Sequence, residues 1–134
     1  MGRYGLDWSK GLKNFTDEDW NIVLTETTKI IDDKKNMKEV ALSLNDRGIY
    51  YRKKSEYEKA ILDYNYAIQL IPDFAWAFYN RGKVYWETKQ YEQALSDFNE
   101  ALRLFPTFQG TDKAIEDTRT CIKMILEEKE ANNG

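Results

Sequence analysis

A chain of 134 residues has room for one hydrophobic core, and 42% hydrophobic with 32% charged residues and two prolines describe a folded, helix-biased domain rather than a disordered one. A formal net charge of -3 argues against a general nucleic-acid or anionic-membrane surface, since neither polyanion attracts an acidic body. The absence of histidine removes the commonest general base, the Ser/His and Cys/His nucleophile systems and histidine metal sites, and a single cysteine, Cys121, excludes an internal disulfide and cysteine-held zinc.

Residues 1–15 carry Tyr4, Trp8 and Phe15, too apolar for a plain tail, yet Gly2, Gly5 and Gly11 interrupt any helical pattern; an irregular aromatic segment is expected. The stretch lacks the charged start and apolar core of a secretion signal, and Leu6 stands where myristoylation requires Ser or Thr, so a cytoplasmic protein is expected. Across residues 16–34, Trp20, Val23, Leu24, Thr27, Ile30 and Ile31 fall at helical spacing behind a capping pair, Thr16 and Asp19.

Next, Val40, Leu44 and Tyr51 share a helix face with Gly48, a residue tolerable there only if another helix comes very close. A second helix supplies that contact with a stripe of Ala60, Ile61, Tyr64, Ala67 and Ile68, the alanines being small where the partner helix needs room. Ser55 with Glu58 reads as a capping box opening this helix, and Pro72 with Asp73 as its stop and the cap of the next. The design then recurs 34 residues later as Gly82, Tyr85, Ala94, Phe98, Ala101 and Pro106, with Lys89 in place of the capping serine. Arg47 with Asp63, and Arg81 with Asp97, share one spacing in both copies, which predicts an ion pair between the two helices of each hairpin.

This pattern resembles the tetratricopeptide repeat, a 34-residue helix-turn-helix unit, with Leu44, Gly48, Tyr51, Ala60, Tyr64, Ala67 and Pro72 at signature positions, then Phe78, Gly82, Tyr85, Ala94, Phe98, Ala101 and Pro106. It covers residues 41 to 108. Arg47 and Arg81 depart from it where the family usually has an aliphatic residue. The resemblance implies an all-α fold, a short right-handed α-solenoid with repeats at 41–74 and 75–108 inside a single domain 1–134, flanked by a divergent N-terminal helix (16–34) and a C-terminal capping helix. The last, 111–130, has its own apolar face of Ala114, Ile115, Thr118, Ile122, Ile125 and Leu126 behind a Thr111 cap, with Cys121 as a buried spectator.

No catalytic constellation emerges: the seven glycines form neither a GxGxxG nor a GxxxxGK[ST] loop, and the carboxylates run together as in Asp17-Glu18-Asp19 or Glu127-Glu128, which suits helix termini and solvated faces. A non-enzymatic protein without cofactor or metal is expected. The family resemblance implies a concave groove lined by the leading helix of each repeat. Carried onto this chain, its positions are Leu42, Asn45, Ile49, Arg52 and Lys53, then Trp76, Tyr79, Lys83, Trp86 and Glu87. Helical spacing separately places Trp76, Tyr79, Lys83 and Trp86 on a face distinct from Phe78, Gly82 and Tyr85. The expected function is a scaffold or adaptor binding a peptide segment of a partner, apolar with acidic groups to suit Arg52, Lys53 and Lys83. The family's carboxylate clamp for heat-shock chaperone tails is incomplete: Asn80 matches, whereas Asn45 and Ile49 replace a lysine and an asparagine, and Gly110 and Ala114 a lysine and an arginine. The alternative is a self-associating, homodimeric module that pairs through Tyr4, Trp8 and Phe15 or through an uncapped end of the stack. In an intramolecular version the N-terminal segment lies in its own groove.

Overall fold

In the computed structural model, which describes residues 2–104 and 112–133, Thr16 accepts a hydrogen bond from the Asp19 amide (3.0 Å) and Asp19 accepts one from the Thr16 amide (2.9 Å). This reciprocal capping box, predicted from the sequence, starts helix α1, Asp17–Asp33. Lys34 closes it at φ 52°. Asn36 then accepts from the Glu39 amide (3.1 Å) and opens α2, Met37–Lys53, a cap the sequence reading passes over although Asn36 and Glu39 have the right spacing. Helix α3 spans Tyr57–Leu70, α4 Ala75–Glu87, α5 Tyr91–Leu104 and α6 Asp112–Asn133. Among the described residues all regular structure is helical, as expected.

The chain divides into two units, Met1–Leu70 and Ile71–Gly134. In the first, α1 packs on α2 and α2 on α3; in the second, α4 packs on α5 and α5 on α6. Each hairpin closes on one glycine. A Cβ at Gly48 would stand 2.4 Å from Cε1 of Tyr64, and one at Gly82 2.8 Å from Cε1 of Phe98. Both rings are fully buried, and their burial contributes roughly 2–3 kcal/mol each. The glycine's helix penalty of about 1 kcal/mol is smaller than that gain.

Between the hairpin helices the structure corrects one expectation. Ser55 is not an N-cap: it lies at φ 59°, in the left-handed region, and Lys89 lies at φ 62° at the same place in the second repeat. Both close the preceding helix. The Ser55 amide donates to Arg52 O (2.9 Å) and the Glu56 amide to Tyr51 O (2.8 Å), while Lys89 donates to Trp86 O (3.1 Å) and Gln90 to Tyr85 O (2.8 Å). This is the Schellman arrangement, which asks for a backbone angle rather than a side-chain oxygen, so lysine can stand where serine does. Asp73 is likewise not the cap of α4, whose N-cap is Phe74 without a side-chain hydrogen bond.

The flanking helices follow their apolar stripes. Trp20, Val23 and Thr27 of α1 are buried, as are Thr118 and Ile125 of α6. Leu126, expected on the same face, is instead exposed, because Ile125 takes the inward direction and the next residue turns about 100° away. Cys121 is half-buried. Thr111, Pro106, Phe108 and Gly110, and the side chains of Ala114 and Ile115, lie outside the described residues. Among the described residues no helix is long and apolar enough to cross a membrane.

Candidate functional site: the leading helices

The predicted ion pairs are formed. Arg47 donates through Nε and Nη2 to both Asp63 oxygens at 2.8 Å, and Arg81 repeats the fork on Asp97 at 2.8 and 2.7 Å. Side-chain exposure of 19% for Arg47 and 8% for Asp63 makes the site more enclosed than a surface pair. Hydrogen bonding by Asp63 raises the pKa of the Arg47 guanidinium. These forks fix the inward faces of α2 and α4 and thereby the direction of their remaining side chains.

On α2 the proposed groove residues differ in accessibility. Lys53 is exposed, Leu42, Ile49 and Arg52 are half-buried, and Asn45 is buried. Ile49 and Tyr50 pack against a buried cluster that joins Leu6 and Phe15 of the N-terminal segment to Trp20 and Val23 of α1, with Tyr4 and Trp8 also packed against it. Rings run in series through Tyr4–Trp8 (6.1 Å between centroids), Trp8–Phe15 (5.1 Å), Phe15–Trp20 (5.2 Å) and Trp20–Tyr50 (6.4 Å). Residues 2–15 are therefore ordered by aromatic packing and three single 3-10 turns, Arg3–Gly5, Trp8–Lys10 and Leu12–Asn14.

A polar latch ties that segment to α2. Arg3 donates to both Asp46 oxygens (2.8 and 2.9 Å), the Tyr4 hydroxyl donates to Asp46 Oδ2 (2.7 Å), and Ser43 Oγ lies 3.4 Å from the same hydroxyl. The Asp46 side chain is 1% exposed, whereas that of Arg3 is half in solvent. The Arg3 guanidinium also lies 4.8 Å from the Trp8 ring centre, and the Trp8 indole donates to Arg3 O (3.0 Å). Burial pushes the Asp46 carboxyl up, and the Arg3 and Tyr4 hydrogen bonds pull it back in part. Burial, then the Asp46 charge, pushes the Tyr4 phenol well up, so its proton stays available to the carboxylate. Sequence reasoning did not single out Arg3, Ser43 or Asp46; the one signal was that Asp46 replaces, with a charge, the residue that the second repeat carries as Asn80.

On α4, Trp76, Lys83 and Trp86 are half-buried and Glu87 is exposed. Tyr79 is not a leftover aromatic: it is 7% exposed and its ring packs on Phe98 (6.0 Å) and edge-on against Trp76 (5.9 Å). It belongs to a buried cluster that includes Ile125 of α6, a neighbour that spacing along α4 alone does not reveal. Lys83 Nζ sits 5.4 Å from the Tyr79 ring centre.

Family models described as "TPR repeat" and "Tetratricopeptide repeat" match residues 48–89 and 75–108. Each hairpin has the packing expected of this unit, and residues 48–108 are tetratricopeptide repeats. Solved structures with the same fold include the TPR2B-domain:pHsp70 complex of yeast Sti1, at 21% identity and a TM-score of 0.72 over 90% of this chain and 93% of that one. The Sgt2 TPR domain from Aspergillus fumigatus is similar at 17% identity and a TM-score of 0.61, covering 89% of this chain and 84% of that one. MamA is similar at 19% identity and 0.52, over 94% and 86%. No curated protein matches the chain in sequence.

Proposed function

We propose that this chain is a non-enzymatic adaptor whose leading helices hold a peptide segment of a partner protein. The observation that carries this reading is the face of α4 that presents Trp76, Lys83 and Trp86 at the solvent boundary, while Arg81 and Tyr79 are committed to Asp97 and Phe98. Large aromatics beside a cation are the groups that anchor interfaces. Apolar groups of the guest meet Trp76 and Trp86, and acidic groups meet Lys83. The similar Sti1 domain is described in complex with pHsp70, which supports a protein guest in kind. Asn45 and Ile49 in place of a lysine and an asparagine argue against a guest held by its terminal carboxylate, since a carboxylate without paired donors loses most of its affinity.

The test is selection of peptides from a displayed random library on the wild-type chain, followed by affinity measurement on Lys83→Ala/Trp86→Ala with folding checked by circular dichroism. Tyr79 is left intact because its ring belongs to the core. The expected dissociation constant is on the order of 1–100 μM for the wild type, weakened about tenfold or more in the variant. Equal binding by both chains rejects the α4 surface.

A second reading, pairing of two copies, is favoured by Leu62 and Tyr66, 66% and 41% exposed and one turn apart on α3. Sedimentation velocity over a dilution series decides it: a monomer at every concentration removes the homodimer.

A further inference from the structure

Asp46 differs from the other buried carboxylates of the leading hairpins. Asp63 and Asp97 take their arginines from within their own hairpins, 16 residues away, whereas Asp46 takes Arg3 from 43 residues away, in a segment without an α-helix. That segment has the build of a bound peptide. Gly5 and Gly11 lie at φ +72° and +80°, angles that other residues rarely adopt, so glycine sets the path of the backbone at both places. Tyr4 is held at φ 61°, an angle a tyrosine rarely adopts unaided, so contacts rather than local preference set its conformation. Those contacts are a bidentate guanidinium, a phenol, an aliphatic side chain at Leu6 and an indole at Trp8, and Ile49, a residue of the expected binding face, packs against the buried cluster to which Leu6 belongs.

We infer that the α1–α2 face is a receptor for a basic–aromatic peptide segment of the type Arg-Tyr-x-Leu-x-Trp, and that residues 2–10, hinged at Gly11, are its resident occupant, displaced by a partner carrying the same groups. This rests on the reading of the leading helices as contact surfaces but not on α4, and it gives the first repeat a guest of opposite charge to the one expected from Arg52 and Lys53. Asp46 sets that chemistry: uncovered, a carboxylate in this setting selects a planar cation that can satisfy both oxygens, and the aromatic row from Phe15 to Tyr50 selects rings beside it.

The experiment uses the isotopically labelled full chain and an acetylated synthetic peptide of residues 2–11. Amides of Gly5, Leu6 and Gly11 are expected to exchange with solvent about 100-fold faster than those in the middle of α2, through local opening. Arg3→Ala in the protein is expected to accelerate that exchange and to tighten peptide binding about tenfold, with the labelled Trp8 indole signal moving to its free position as peptide is added. A peptide carrying Arg3→Ala is expected to bind about tenfold more weakly, a comparison that needs no change at Asp46. The inference is overturned if the segment exchanges only together with α2, or if the peptide fails to bind the Arg3→Ala chain at about 1 mM. Lys83→Ala/Trp86→Ala separates the two proposals, because it is expected to leave binding of this peptide unchanged; loss of α4 peptides with retention of this one, or the reverse, sinks one reading alone.

Discussion

Arg47 and Asp63 meet across the first hairpin through two parallel N–H···O bonds of 2.8 Å, with the Tyr51 ring centre 5.7 Å from the guanidinium carbon. Removing one partner strands the other in a mostly enclosed site. Asp63→Ala is therefore expected to cost about 2–4 kcal/mol, and Arg47→Met/Asp63→Leu much less, because no uncompensated charge remains. Urea unfolding of the single and double variants checks this; a double variant no better than Asp63→Ala contradicts it.

Gly48→Ala separates helix propensity from packing. Alanine is the better helix former by about 1 kcal/mol, yet its methyl would stand 2.4 Å from the buried Tyr64 ring. The expected outcome is a net loss of roughly 1–3 kcal/mol, and a smaller loss for Gly82→Ala, where the nearest ring atom is 2.8 Å away. Thermal melts of both variants read the order directly.

Ser55→Gly and Lys89→Gly should each stabilise the protein. Both residues occupy the left-handed position of a Schellman turn, at φ 59° and 62°, where a side chain is strained and glycine is not. A gain of about 0.5–1 kcal/mol per site is expected after the extra chain entropy of glycine is counted. Destabilisation by either substitution would show that the Ser55 or Lys89 side chain contributes something the backbone geometry does not require.

Acid also acts on the start of α1. The hydrogen bond from Lys10, then that from the Thr16 amide, holds the Asp19 carboxyl below its ordinary 3.8. A depressed folded-state value means that the capping contribution is present above pH 3.8 and is lost as pH falls through the lower folded-state value. Carboxyl carbon titration by NMR is expected to give Asp19 a midpoint below 3.8, accompanied by faster exchange of the Trp20 amide, which donates to Thr16 O (3.0 Å). A midpoint above that value would be inconsistent with the capping box. At neutral pH, Thr16→Ala should cost about 1 kcal/mol.

Much of the fold could be read from residue pairs at short, repeated separations. Gly48 with Tyr64 and Gly82 with Phe98 announce close helix contacts within one hairpin, and the Arg–Asp spacing announces the forks. Tyr79 misled because its inward status depends on a cluster reaching Ile125 of another helix, and helical spacing within α4 says nothing about that. Ser55 misled because a hydroxyl before a helix looks like a cap whether the backbone is extended or left-handed. The latch was illegible for a different reason: 3-10 turns carry no usable period, and no local rule ties Arg3 to a carboxylate 43 residues away.

The ionic forks also bear on how such a chain could grow. Each joins residues 16 apart and lies wholly inside one 34-residue block, so a duplicated block would arrive with both of its charges already matched and would leave none orphaned in its neighbour. Lengthening this array is then a question of surface complementarity between blocks, and an inserted copy of residues 75–108, which carries Asn80 where the first block has Asp46, is a transplantable part that brings its own electrostatic bookkeeping with it.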